Sequence, residues 1–332
     1  MKIENHILII GAMKSGTTNL FKTLIEHDKI IEPKIKEPHF FSLDEKIIEE
    51  NWGWYLKNLN NPTKLNYSID ATIHYLNSKR AIENINKYVK NPKILVIIRD
   101  PIKRIFSHYN HLRKEGGVIE NRDFKEIYKF ASKELAFKNL KDTENRNLLN
   151  AIRSKKIIEN YYNKSYLRDY CGAPFDSNFE DQNRIFKYFQ NSSYKKYIQA
   201  YEKKFPQKIK IIIFEEWIHD SGKVMGEIFN FIGLKNEKKR IKQSSQKYET
   251  LIPQNKVYNK LWSFYLNNHF SQKIVVMLKK IGLQIFFDKL RKIIFKKPKL
   301  SKEDYIIMKE ILFDEYTYWF QREPITKKHW FF

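Results

Sequence analysis

Apolar runs of strand length alternate with stretches of helical periodicity along much of the chain. Residues 7–10 form a mostly β-branched apolar run that ends at Gly11, and apolar residues then recur at helical spacing over 16–27. The same patterns predict a short strand or loop at 30–33, strands at 66–70, 93–98 and 208–214, helices at 43–58, 78–89, 101–115 and 221–232, and several helices between 122 and 204.

Strands that alternate with helices predict an α/β fold, in which a central parallel sheet is flanked by helices. In such sheets the ligand site lies where the carboxyl ends of the strands meet. We therefore expect one site where four loops converge, at 11–17, 34–41, 70–75 and 99–107.

The loop after the first strand has the composition of an anion site. It contains Lys14, Ser15 and Gly16, and the hydroxyl residues Thr17 and Thr18 follow. Amides at the start of the next helix lack partners, and the helix dipole adds partial positive charge there. The alternative is an ordinary strand-to-helix turn that binds no ligand.

The nucleoside-triphosphate loop requires a lysine directly after its last glycine, but Thr17 follows Gly16 here. This difference disfavours kinase or ATPase chemistry. A P-loop kinase, or a nucleotide-binding module without catalysis, remains the alternative function.

The segment Met13-Lys14-Ser15-Gly16-Thr17-Thr18 resembles the phosphosulfate loop of sulfotransferases that use 3′-phosphoadenosine 5′-phosphosulfate (PAPS). The segments Lys36-Glu37-Pro38-His39-Phe40-Phe41 and Arg99-Asp100-Pro101 through Tyr109 follow in the family's order, and the first is typical of the bacterial and heparan-sulfate branch. The resemblance implies a P-loop-like three-layer sandwich, PAPS as donor, adenosine 3′,5′-bisphosphate (PAP) as product, and a carbohydrate or glycolipid acceptor.

The resemblance also implies roles for individual residues. Lys14 would stabilise the departing phosphate, and Glu37 would be the base that activates the acceptor. Apart from the resemblance, Lys36 and His39 flank Glu37 and would tune its pKa or contact the donor and acceptor, with an ordinary packed or exposed histidine as the alternative for His39. Asp70 would orient Lys14 or the acceptor, or else cap the turn after its strand. The implied donor-binding residues are Lys14, Ser15, Gly16, Thr17, Thr18, Arg99, Ser107, Lys242 and Lys247.

The chain has 332 residues, of which 42% are hydrophobic, and this composition predicts a folded protein. We expect a single domain over 1–332, with acceptor-side helical insertions near 120–200 and a basic helical segment near 256–300. The single cysteine, Cys171, excludes an intramolecular disulfide and fits a reducing compartment. The histidines show no metal-ligand spacing, so no metal is expected.

The formal net charge of +24 suits an anionic partner or substrate, and the alternative is that part of it reflects the lysine-rich composition of the whole sequence. No nucleic-acid-binding motif accompanies it, so we expect no nucleic-acid partner. Residues 273–297 interleave apolar clusters with basic residues, a pattern that fits either packing on the domain or peripheral contact with an anionic membrane. No signal peptide or span is evident, so the expected location is cytoplasmic, with the inner membrane surface as the alternative within it.

Overall fold

The computed structural model describes residues 2–63, 66–113, 123–127, 188–235, 252–253, 257–258, 277, 289 and 293–331. The chain divides into two compact units. The first unit comprises residues 1–101, 133–245 and 312–331, and the second comprises 102–132, 246–311 and 332. The prediction of one domain stays a prediction, and most of the expected 120–200 insertions and 256–300 segment lies outside the described residues.

A five-stranded parallel sheet forms the centre of the first unit. Its strands are β1 Ile3–Gly11, β2 Ile30–Ile31, β3 Tyr67–Asp70, β4 Val89–Ile98 and β5 Ile209–Ile213. They lie in the order β2-β3-β1-β4-β5, and all four pairings are parallel. Helices flank this sheet, so the α/β fold class predicted from the sequence is confirmed.

The described helices follow the predicted pattern closely. Their bounds are α1 Thr17–Leu24, α2 Glu45–Glu50, α3 Trp52–Asn58, α4 Lys79–Tyr88, α5 Pro101–Arg113, α6 Phe124–Ile127, α7 Tyr194–Lys204, α8 Phe214–His219, α9 Ser221–Ile232, α10 Lys302–Ile311, α11 Phe313–Arg322 and α12 Ile325–His329. The predicted stretch 43–58 is two helices, and the short α8 directly after β5 was not predicted.

Burial and local caps explain these elements. Ile7–Ile10 and Ile94–Ile98 are fully buried, as expected for central strands with both faces covered. Ser78 caps α4 by accepting a hydrogen bond from the Ala81 amide. Asp220 caps α9 in the same way, and Gly233 ends that helix at a left-handed φ of 94°.

The described part of the second unit contains α5, α6, α10 and a two-stranded pairing of β6 Ile252–Pro253 with β7 Phe295–Lys296. Phe106 and Tyr109 of α5 pack their rings against Phe124 of α6. Lys125 forms an exposed ion pair with Glu303. Ser107 is half-buried in α5 and belongs to this unit.

Candidate anion and transfer site

The loop between β1 and α1 forms a tight turn. Lys14 and Gly16 are both left-handed, with φ of 65° and 93°, and the Ser15 amide donates to the Ala12 carbonyl. Thr17 begins α1, so the amides of its first turn start at this loop. Ser15 is fully buried, and its Oγ has no hydrogen-bond partner among the described residues.

Gly16 is required at its position by conformation and by space. A Cβ added to Gly16 would lie 2.7 Å from the Phe214 ring, closer than real Cβ contacts allow. The positive φ is also unfavourable for a side chain. Phe214, the first residue of α8, therefore packs directly under the loop.

Arg99 joins the end of β4 to the same loop. Its Nη1 donates to the Lys14 carbonyl at 3.3 Å, and its guanidinium lies 4.9 Å from the Phe214 ring centroid. The Tyr194 hydroxyl donates to the Arg99 carbonyl. The Arg99 Nε is buried and makes no hydrogen bond within the described ranges. The two predicted donor-binding segments therefore contact each other in the first unit.

Glu37 and Lys36 lie beside the first turn of α1. The Lys36 ammonium donates to Glu37 Oε1 at 2.8 Å and to Thr18 Oγ1 at 3.1 Å. The Ala71 amide donates to the Lys36 carbonyl, so this segment is fixed against the end of β3. The loops at 11–17, 34–41 and 70–75 thus meet at one edge of the sheet, as predicted.

His39 is buried at a left-handed φ of 54° directly before the turn Phe40–Ser42. Burial, aided by the positive charge of Lys36, lowers the pKa of His39 to about 4. Its ring stacks on His74, and its amide donates to Thr72 Oγ1. His39 is therefore neutral near pH 7 and part of the packed wall beside Glu37.

Asp70 is the centre of a buried hydrogen-bond network. Thr72 donates its amide and hydroxyl to Oδ1, while the Tyr55 and Tyr75 hydroxyls donate to Oδ2. Burial raises the pKa of Asp70 to about 6, although these four donors oppose the shift. The Thr72 contact is the turn cap that the sequence left open as one of two interpretations.

The network extends to β1 and to the segment that follows Glu37. His6 on β1 contacts Ser68 and the Tyr55 hydroxyl, and burial lowers the pKa of His6 to about 3. The Tyr75 hydroxyl accepts from the Phe41 amide. Thr72 and Tyr75 therefore hold the segment that follows Glu37, and both are held by Asp70.

Two carboxyl groups, those of Asp100 and Glu215, lie just beyond the ends of β4 and β5. Glu215 Oε1 accepts from the Asp100 amide, and Glu215 Oε2 accepts from the Trp330 indole. The Tyr316 hydroxyl donates to Asp100 Oδ1. Burial raises the pKa of Glu215. Tyr316 of α11 and Trp330, directly after α12, thereby stabilise the residues that follow β4 and β5 next to Arg99.

The described residues do not place three of the predicted donor-binding residues at this site. Ser107 lies in the second unit, and its pairing with Arg99 stays a prediction. Lys242 and Lys247 lie outside the described residues.

Among the described residues, no group of three or more histidines, cysteines or acids is arranged to hold a metal. None of the described helices has the length and apolar content needed to span a bilayer.

Sequence reasoning missed Phe214. It placed Lys36 beside Glu37 as a residue that would tune its pKa or contact a substrate, but it did not identify the contact of Lys36 with Thr18. Phe214 directly follows the apolar strand, so its aromatic side chain at a strand end was an available signal. Tyr55 and Tyr75 lie 15 and 5 residues from Asp70 in the chain, and their residue type does not reveal that both hydroxyls donate to it.

The comparisons with known proteins agree with one another. A family model described as "Sulfotransferase domain" matches residues 4–274. The membrane-associated sulfotransferase kil1 of Dictyostelium discoideum is 32% identical over 108 residues, which are 32% of this chain and 22% of that protein. Human heparan sulfate glucosamine 3-O-sulfotransferase 5 is 30% identical over 128 residues, covering 37% of this chain and 35% of that protein.

The chain thus matches about a third or less of the length of these curated relatives. A solved sulfotransferase from Alicyclobacillus acidocaldarius is similar in fold, with a TM-score of 0.50 and 19% identity. The similarity covers 79% of this chain and 91% of that one.

Proposed function

We propose that the chain, which belongs to the sulfotransferase family, transfers a sulfuryl group from PAPS to a hydroxyl or amine of a carbohydrate or glycolipid. The observation that carries the proposal is the path from Thr18 through Lys36 to Glu37, with contacts of 3.1 and 2.8 Å. It holds a carboxylate next to a loop suited to an anion, which is what transfer from an anionic donor to a neutral nucleophile requires.

The residues of the loop fit the donor. The buried Ser15 Oγ and Arg99 Nε have no hydrogen-bond partner in the described part of the chain, so both are suited to anionic oxygens. The amides at the start of α1 and the hydroxyls of Thr17 and Thr18 suit a 5′-phosphate. We assign the 3′-phosphate to Arg99 and Ser107, and a closing basic loop to Lys242 and Lys247.

The proposed chemistry divides between two residues. When bound, the donor supplies the sulfuryl group, which passes in line from a phosphate oxygen to the acceptor. Glu37 accepts the proton of the attacking group. Lys14 offsets the negative charge that develops on the leaving phosphate oxygen. His39, being neutral, and Asp70, being surrounded by donors, support the walls of the site in this scheme.

A carbohydrate acceptor is supported by the heparan sulfate relatives, and a glycolipid acceptor by the basic segment 273–297. We propose that this segment contacts the anionic inner surface of a membrane from the cytoplasm. Flotation of the full chain with liposomes containing anionic lipid tests this contact. Unchanged flotation after deletion of 273–297 would contradict it.

Calorimetry with PAP, compared with ATP and magnesium, tests the donor. We expect PAP to bind more tightly; tighter ATP binding would favour the kinase alternative. With radiolabelled PAPS and a panel of polysaccharides, glycolipids and phenols, we expect transfer to a sugar acceptor.

Glu37→Gln should lower turnover by about 10²- to 10⁴-fold while PAP still binds. Glu32→Gln, on an exposed residue nearby, is the matched control. Wild-type turnover in Glu37→Gln would exclude Glu37 as the base.

A further inference from the structure

The Lys36 side chain lies between the anion loop and the carboxylate of Glu37. Its ammonium contacts Thr18 Oγ1 and Glu37 Oε1, and it lies 5.8 Å from the centroid of the Phe21 ring. The side chains of Lys36 and Glu37 are 26% and 23% exposed, so solvent only partly screens the pair. One ammonium therefore serves both halves of the proposed site.

The backbone that carries Lys36 is fixed on both sides. Asn58, at the end of α3, accepts from the Ile35 amide through its side chain and from the Lys34 amide through its carbonyl. The Ala71 amide, directly after β3, donates to the Lys36 carbonyl. The ammonium is thus presented from a rigid segment, which lowers the entropy cost of holding its two contacts.

The contact with Thr18 also determines what that hydroxyl can do. An ammonium has only donors, so the Thr18 oxygen must act as acceptor toward Lys36. The Thr18 proton is consequently directed away from Lys36 and is available to an anion. An anion bound there would lie close enough to the Lys36 ammonium to attract it away from Glu37.

We propose that Lys36 is a positioning residue that couples donor binding at Thr18 to the charge of Glu37. This inference rests on the proposed function and extends it. The donor anion and the Glu37 carboxylate compete for one ammonium, so each weakens the other's hold on Lys36. Donor binding thereby releases Glu37 to meet the acceptor, and the coupling is reciprocal because it is a property of equilibria.

A double-mutant cycle measures this coupling without any catalytic assay. PAP affinity is measured by calorimetry for the wild type, Glu37→Gln, Lys36→Met and the double variant. With Lys36 present, Glu37→Gln should tighten PAP binding by about two- to fivefold, the range expected for a partly exposed ion pair. In the Lys36→Met background, Glu37→Gln should change the free energy of PAP binding by less than half of the amount measured with Lys36 present.

Lys34→Met is the matched control, since it removes the same charge from an exposed position two residues away. Glu37→Gln should tighten PAP binding fully in the Lys34→Met background. Should Lys36→Met fail to fold, Lys36→Gln provides the same comparison.

Equal tightening in the wild-type and Lys36→Met backgrounds would overturn the coupling, because simple repulsion between Glu37 and the anion would then suffice. A loss of the tightening in Lys34→Met would overturn it as well. Failure of the wild type to bind PAP would overturn the proposed function and this inference together, whereas normal PAP binding without coupling would overturn the inference alone.

Discussion

At the scale of single residues, Phe214 connects the two ends of the proposed donor site. Its ring leaves no room for a Cβ at Gly16 and lies under the Arg99 guanidinium. Arg99 in turn donates to the Lys14 carbonyl. The loop at β1 and the arginine at β4 are thus held by one aromatic side chain from the end of β5, rather than by each other alone.

Gly16→Ala should destabilise the protein and weaken PAP binding. The alanine Cβ would collide with the Phe214 ring, and a left-handed conformation costs about 1–3 kcal/mol for a residue other than glycine. Urea unfolding and calorimetry measure the two effects. Gly53→Ala is the control, because Gly53 lies in a helix and its added Cβ meets nothing within 4 Å. Equal behaviour of the two variants would contradict the packing argument.

Phe214→Ala should weaken PAP binding by about tenfold while leaving the fold intact. The substitution removes the surface on which the guanidinium rests, so Arg99 loses its fixed orientation, and cation–π contacts contribute about 1–2 kcal/mol. Calorimetry with PAP gives the change in affinity, and circular dichroism checks the fold. Phe231→Ala, which removes a ring on α9 that contacts Lys93, is the control. Unchanged affinity in Phe214→Ala would contradict the role assigned to the ring.

At the scale of secondary structure, the sequence predicted the sheet well because hydrophobic period and strand burial are local signals. The observed β1, β3, β4 and β5 overlap the predicted strands, and Pro101 begins α5 as expected. Loops 11–17, 34–41 and 70–75 meet as predicted, because parallel strands place their carboxyl ends on one edge. Residue types alone could not reveal the network at Asp70, since its partner Tyr55 comes from α3 and its partner Tyr75 from the short 3-10 turn Ile73–Asn77.

His6→Gln tests the part of this network that joins β1, β3 and α3. Burial holds the folded pKa of His6 at about 3, below the ordinary value of 6.5. As pH falls below 6.5, the unfolded chain gains a proton that the folded protein does not, so stability is lost. Between pH 7 and pH 5, the wild type should lose about 2 kcal/mol of stability that the His6→Gln variant keeps.

Urea unfolding at several pH values measures this difference. His39 and Asp70 also titrate, but they are present in both proteins and cancel in the comparison. A wild-type stability that falls no faster than that of His6→Gln, as the pH falls from 7 to 5, would contradict the buried, neutral state of His6.

At the scale of the whole molecule, the excess of 62 Lys and Arg residues over 38 Asp and Glu residues gives a positive field. Such a field speeds the encounter with an anionic ligand and is screened by salt. The local chemistry at Lys36 and Arg99 is less sensitive to salt, because those groups are partly buried.

Raising the salt concentration from about 0.05 M to about 0.5 M should therefore lower the association rate of PAP several-fold and change its dissociation rate less. Stopped-flow measurement of PAP binding separates the two rates. Adenosine, which lacks both phosphates, is the control ligand. An association rate independent of salt would show that the net charge does not steer the ligand.

The aromatic partners of Asp100 and Glu215 lie far along the chain, because Tyr316 is 216 residues beyond Asp100 and Trp330 is 115 residues beyond Glu215. During translation, β4 and β5 leave the ribosome long before these two partners are synthesised. Until then Asp100 lacks the hydrogen bond from the Tyr316 hydroxyl, and Glu215 lacks the one from the Trp330 indole. Ribosome-bound chains that stop before Tyr316 should therefore fail to retain PAP, so that nucleotide capture begins only when synthesis of this region is complete.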